Sequence, residues 1–341
     1  MEEVMTTLKE KDIAQESDGH MVIDFTKHSG VKKGLGSVVV RYRNGSSTYL
    51  LRDVAAAIDR ERAFAFDKMI YVVCSRQELH LAQVFSTLDL MGRSDLREKL
   101  QHVGFDRIQH LSERLGGVRT LDAIIDGTSK LMREAIAAEL LAEKASGDGD
   151  GENVGEEALE VAHIGDTAAI SAILDQDMSH RRSTRSTFDP KRMISLAGYT
   201  GLQLQECHAM LQLNIAELQK QVQAEEDASI DYSVLEQEDA AELLRMMAQY
   251  PEMTSSVFKS LEPSIVLAYL HRLADAIKTC LDSEEGLDED EEGSEDEGGE
   301  DSDFGNKTPT VGQLKANLSM YENARQVLEN GLRLLNIPIV A

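Results

Sequence analysis

Between residues 37 and 109 the chain alternates strand-forming and helix-forming stretches. "SVVVRY" (37–42) is a β-prone run closed by the turn "RNGSS" with its Asn-Gly pair. "TYLL" (48–51) is a second short strand candidate, and the alanine-rich "RDVAAAIDRERAF" (52–64) continues as helix. "KMIYVVC" (68–74) is a continuous apolar run of buried-strand length, "RQELHLAQVFSTLDLMG" (76–92) is helical in period, and "QHVGFDRIQ" (101–109) is a further strand. This order predicts an α/β unit with a parallel sheet and right-handed crossovers.

After this unit the pattern changes. "TLDAIIDGTSKLMREAIAAELLAEK" (120–144) is helical, and "SGDGDGENVGEE" (146–157) has the Gly and acid content of a flexible insertion. From Ala158 onward strand signals nearly vanish. The windows 204–223, 238–251, 264–282 and 317–335 all repeat apolar residues at three and four spacing, which predicts an all-α bundle. With 42% apolar residues, 5% aromatic and no Trp, the cores must be built from Leu, Ala, Ile, Val and Met, a mix that favours helix.

The net charge of −26 is uneven. Residues 282–303 carry fourteen acidic residues and no basic one, which predicts a disordered segment and leaves about −12 for the rest of the chain. Nucleic acid is therefore not excluded if basic residues cluster. Cys74, Cys207 and Cys280 are too widely spaced for a metal or redox motif, so neither a disulfide framework nor a metal site is expected. No bound cofactor is expected either. The acidic N-terminus lacks the apolar stretch of a signal peptide, and no run approaches the roughly 18 apolar residues of a membrane span. The chain reads as cytoplasmic, with no membrane partner.

Several stretches carry a resemblance. Tyr49, Leu50, Leu51, Arg52 and Asp53 are similar to a Tyr-Leu-Thr-Arg-Asp strand-turn-helix motif, and "FDKMIYVVCSRQELHLAQVF" places Gln77, His80 and Gln83 at matching spacing. "AAISAILDQDMSHRRSTRSTFDPKRMISLAGYTGLQLQECHA" and the terminal "ENARQVLENGLRLLNIPIVA" follow in the same order. From about Gly36 to its last residue the chain thus resembles the arginyl-tRNA synthetases, class I enzymes with a Rossmann catalytic domain and a helical anticodon-binding domain. The expected organisation is a poorly structured segment 1–35, the insertion 146–157 and a helical domain 158–341 interrupted by 282–303; the resemblance implies that 36–145 is a partial Rossmann-like catalytic domain and 158–341 anticodon-binding-like.

It also implies that Tyr49, Asp53 and Gln77 bind the arginine side chain. A guanidinium is a rigid fork of five donors that calls for a carboxylate and neutral acceptors around a planar slot. Without the resemblance, Asp53 reads equally well as a helix cap and Tyr49 as a core residue.

Two signatures of ATP-dependent activation are altered. Leu111, Ser112, Glu113, Arg114 and Leu115 stand where the family has Met-Ser-Thr-Arg-Lys, so the lysine is replaced by Leu115 and an acid enters at Glu113. "HIGD" (163–166) resembles the His-Ile-Gly-His turn but follows no strand, and is read as a chance match. Retained arginine recognition with altered ATP chemistry is the logic of the fungal arginine-containing cyclodipeptide synthases, which join arginyl-tRNA to a second aminoacyl-tRNA. Their Asp-Asp-x-x-Glu motif would fall on "DAIID", making Asp122 and Asp126 the catalytic carboxylates, one helical turn apart; the bland alternative is a solvated helix N-terminus. His80, His102 and His110 are further candidate bases.

The leading expectation is synthesis of cyclo(Arg-Xaa), the alternative is a non-catalytic paralogue binding tRNA or a partner synthetase, and arginine–tRNA ligation ranks third because both activation signatures are altered. All require tRNA contact, for which "HRRSTRSTFDPKR" supplies Arg181, Arg182, Arg185, Lys191 and Arg192.

Overall fold

The structure, a computed structural model, describes residues 1–106, 108, 120–146, 154–195, 198–223, 228–289 and 309–340. It divides into two compact units, Met1–Arg107 with Ser183–Arg185, and Ile108–Arg182 with Ser186–Ala341.

The first unit begins with helix α1 (Glu2–Glu10), which buries Val4, Met5 and Leu8 at helical spacing. Strands β1 (Gln15–Ser17) and β2 (His20–Asp24) follow. Residues 1–35 are therefore not poorly structured. Their apolar residues are sparse but regularly placed: Ile13, Ala14, Ile23, Phe25 and Leu35 join the three from α1 in the same core as the sheet and helices behind it. Ion pairs Glu2–Arg41 and Glu3–Arg62 fasten α1 from outside.

Strand β3 (Ser37–Arg41) pairs antiparallel with β2, giving a three-stranded sheet of order β1-β2-β3. The strand-helix alternation predicts a parallel sheet here; the pairing with β2 is antiparallel instead. Nor does "TYLL" form a strand: after the turn only Ser47 bridges back to Arg41, and helix α2 (Tyr49–Phe64) begins at once. The Thr48 backbone N–H and hydroxyl both donate to Val40 O at 3.1 Å, anchoring the corner. Leu50, Leu51, Val54, Ala57 and Ile58 then define one buried helical face, a pattern that outweighs the local β preference of Thr and Tyr.

Strand β4 (Met69–Cys74) and strand β5 (Leu100–Phe105) form the parallel pair, in register from Met69 opposite Leu100 to Cys74 opposite Phe105. They are joined through helices α3 (Glu78–Leu90) and α4 (Ser94–Glu98). One face of the pair meets α3, with the Tyr71 and Phe85 rings 5.7 Å apart. The other leaves Val72 64% exposed, with Ile70 and Phe105 also exposed. The unbroken apolar run of β4 therefore signals two faces fit for burial, of which one is covered here.

In the second unit, helices α5 (Leu121–Ser146) and α6 (Val154–Met178) pack against each other over Ile124, Met132, Ala168, Ala169 and Ala172. The expectation that residues up to 145 belong with the sheet thus meets a helix that packs on α6. Residues 154–157, placed in the flexible insertion, are the first turn of α6. A short helix α7 (Pro190–Met193) leads to α8 (Gly201–Val222), α9 (Glu238–Ala248), α10 (Tyr250–Ser260), α11 (Pro263–Glu289) and α12 (Val311–Leu334). Leu204, Leu211, Leu243, Leu267, Leu270, Leu273, Ile277, Tyr321 and Leu328 form the bundle core, all at most 1% exposed. Helix α11 runs into the acidic stretch as far as Glu289, so its first eight residues are helical rather than disordered; 290–303 lie outside the described residues. Among the described residues no helix is long and apolar enough to cross a membrane.

Candidate functional site

The corner after β3 presents two of the three expected arginine-binding residues on one helix. Tyr49 is the first residue of α2 and Asp53 the fifth, so their side chains share a face. Neither takes the bland role. Tyr49 is 76% exposed, not core, and its ring lies under the guanidinium of Arg52 at 5.6 Å, within the range at which an aromatic face attracts a cation. Asp53 sits too far along the helix to cap it; the cap position belongs to Thr48.

Instead the Asp53 carboxylate meets His80, Nε2 to Oδ2 at 2.6 Å, with side chains 41% and 26% exposed. His80 stands in the first turn of α3, three residues after Gln77, which closes a 3-10 turn Ser75–Gln77 behind β4 and is exposed. The Asp53–His80 pair thus joins the start of α2 to the start of α3, and Gln77 belongs to the same end of α3. Close enough to feel the Asp53 charge is Tyr71, whose phenol burial pushes up from its ordinary value, with the Arg60 guanidinium opposing and Asp53 reinforcing. Tyr71 and Arg60 carried no signal in the sequence beyond their places on β4 and α2.

Other candidates resolve differently. Gln83 is buried and donates from Nε2 to Leu35 O at 2.8 Å, a structural bond. His102 contacts the Val73 carbonyl at 3.1 Å across the parallel pair, a bonding pattern that ties the strands rather than offering a base. His110 and the altered loop Leu111–Leu115 lie outside the described residues. His163–Asp166 fall inside α6, in agreement with a chance match, and Asp166 pairs with Arg133 of α5 at 2.5 Å.

Asp122 and Asp126 lie in the first two turns of α5, both exposed, with Thr120 accepting the Ala123 N–H at 3.4 Å ahead of them. They form no ion pair among the described residues. This is the geometry of a solvated helix N-terminus. The basic cluster also divides. Arg182 is tied to Glu262, through its backbone N–H at 3.0 Å and its Nε at 3.6 Å, and donates to Ser260 O at 3.2 Å. Arg185 pairs with Asp106 at 3.3 Å. Arg181, Lys191 and Arg192 are exposed and enter no ion pair among the described residues.

Residues 1–190 match the family model for the catalytic domain of class I tRNA synthetases (R), and residues 208–297 match the DALR anticodon-binding domain. The first match begins at residue 1, so the segment ahead of Gly36 is part of the likeness. The cytoplasmic arginine–tRNA ligase of Saccharomyces cerevisiae is 33% identical over 329 residues, 96% of this chain and 48% of that protein. Its mitochondrial counterpart is 32% identical over 280 residues, 82% of this chain and 41% of the relative. Among solved structures, arginyl-tRNA synthetase from Plasmodium falciparum superposes with a TM-score of 0.73 at 15% identity, over 99% of this chain and 51% of that one. The Thermus thermophilus enzyme gives 0.69 at 19% identity, over 99% and 57%. The chain spans about half the length of the curated relatives it matches. A class I catalytic module followed by a DALR domain, with a relative 33% identical along nearly the whole chain, places it in the arginyl-tRNA synthetase family.

Proposed function

We propose that this chain serves arginine–tRNA ligation, holding the arginine side chain at Asp53, Tyr49 and Gln77 and contacting tRNA through its helical unit. The observation that carries this reading is the partly exposed Asp53 carboxylate, fixed between α2 and α3 with the exposed Tyr49 side chain one helical turn away. A guanidinium meeting that carboxylate forms charge-assisted hydrogen bonds, and the ring offers a flat cation-binding surface beside it. The ligases matched above support the substrate assignment.

The more particular reading, formation of cyclo(Arg-Xaa) from arginyl-tRNA and a second aminoacyl-tRNA, draws on Leu115 and Glu113 in the altered loop. Its acidic pair, Asp122 and Asp126, stands exposed and unpaired among the described residues, and the named relatives are ligases. Ligation is therefore the better supported function.

Calorimetric titration with L-arginine tests the site. Losing a hydrogen bond to a charged group costs about 1.5–3 kcal/mol, so Asp53→Asn is expected to weaken binding about tenfold or more. Equal affinity in the two proteins overturns the site. Arginine-dependent exchange between ATP and pyrophosphate then reports ligase chemistry. Arginine and tRNA binding without exchange assigns the chain to binding alone, and cyclo(Arg-Xaa) detected by mass after incubation with charged tRNAs establishes the peptide-forming reading.

A further inference from the structure

The Asp53–His80 pair is not explained by the need to fold. Both side chains are partly exposed, and the two helices already share a core through Leu50, Leu51, Val54, Val84 and Leu88. The contact is short, 2.6 Å, between an imidazole nitrogen and a carboxylate oxygen. An ionised carboxylate only accepts, so Nε2 is the donor in this contact. A carboxylate has about four acceptor sites on its two oxygens, and His80 uses one at Oδ2. Among the described residues, Oδ1 and the second site of Oδ2 are left for a ligand.

We propose that His80 is a positioning residue for guanidinium recognition: its Nε2–H locks the carboxylate plane of Asp53 so that Oδ1 faces the ligand. This inference rests on the arginine-site reading given above. An aspartate on a helix surface otherwise turns freely about its terminal torsion, which is broad and roughly two-fold, whereas a planar bidentate partner needs one orientation. His80 reaches Asp53 from α3, the helix that Gln77 precedes, so the same bond sets the spacing between the charged acceptor and the neutral one. Its sequence signal was present, as a histidine three residues after Gln77, but pointed to a base rather than to a hydrogen-bond donor.

The test is titration of the full chain with L-arginine, and with L-citrulline as a neutral isostere, for wild type, Asp53→Asn, His80→Leu and His80→Gln. Circular dichroism melts confirm that each variant is folded. The glutamine amide places an N–H where Nε2 stood, while leucine keeps bulk and removes the donor. His80→Leu is expected to weaken arginine binding about tenfold and to narrow the preference over citrulline, and His80→Gln to recover to within about threefold of wild type. Wild-type affinity in His80→Leu beside a loss in Asp53→Asn overturns the positioning role and leaves the arginine site standing. Equal losses in the leucine and glutamine variants also overturn it, because the donor is then irrelevant. Unchanged binding in Asp53→Asn, or no arginine binding by wild type, removes the site itself and this inference with it.

Discussion

Asp53 occupies the fifth position of α2, beyond the exposed N–H groups that a capping carboxylate would satisfy, and this offset frees it to meet a partner on another helix. Elsewhere the chemistry of single residues is set by burial. Cys207 is fully buried and its thiol is pushed up to about 12 from an ordinary 9.0. Tyr269 is 1% exposed, donates to Met246 O at 2.9 Å, and is likewise pushed up to about 12 from 10.0. Both are acids kept neutral by the fold. The stability linked to Cys207 is therefore complete below pH 9 and lost as pH climbs towards 12, and that linked to Tyr269 is complete below pH 10. Melting temperature should hold level up to about pH 8.5 and then decline, and in Cys207→Ala the decline should begin about one pH unit later. A wild-type melting curve that stays flat to about pH 10.5 contradicts the assignment.

At the scale of elements, close backbone approach fixes how α6 and α8 pack. A Cβ built on Gly201 would lie 2.4 Å from Ser171 O and 2.8 Å from Ala172 N, so neighbouring backbone rather than a flexible side chain would have to move. Gly201→Ala should lower stability by about 1–3 kcal/mol in urea unfolding, despite alanine's better helix propensity. An unchanged or higher midpoint would show that the helices separate freely there. Amphipathic helices were legible from periodicity, since the bundle windows carry their buried leucines at the spacing that a single covered face requires. Strand partners were not. "SVVVRY" reads as a strand in either sheet, and its antiparallel pairing depends on β2, whose "HMVID" is too short and mixed to stand out. "TYLL" failed for a related reason: a four-residue β-prone run is outweighed once the leucines also fit a helix face that continues to Ile58. Of the proposed site, Tyr49, Asp53 and Gln77 come from a motif, whereas the Asp53–His80 contact needed the packing of α3 on α2, which no local pattern encodes.

For the whole molecule, a net charge of −26 makes the proposed RNA contact depend on which cations are free. The sequence offered five side chains between 181 and 192, and the structure separates them. Arg182 is committed to Glu262, whose side chain is 15% exposed, and Arg185 to Asp106. Replacing Arg182 takes the cation from a poorly hydrated carboxylate that keeps only neutral donors, an effect on stability before any effect on RNA. Arg181, Lys191 and Arg192 are exposed without ion pairs among the described residues, so each can release a counterion on meeting a phosphate. Measured as the slope of log affinity for tRNA against log salt, Arg181→Gln with Arg192→Gln should flatten the dependence by about 1.5–2 at unchanged melting temperature. Arg182→Gln should lower the melting temperature by several degrees instead, with a smaller change in slope. If Arg182→Gln flattens the slope as much as the double variant does, and melts like wild type, then its pairing with Glu262 opens to RNA and the committed and free cations must be reassigned.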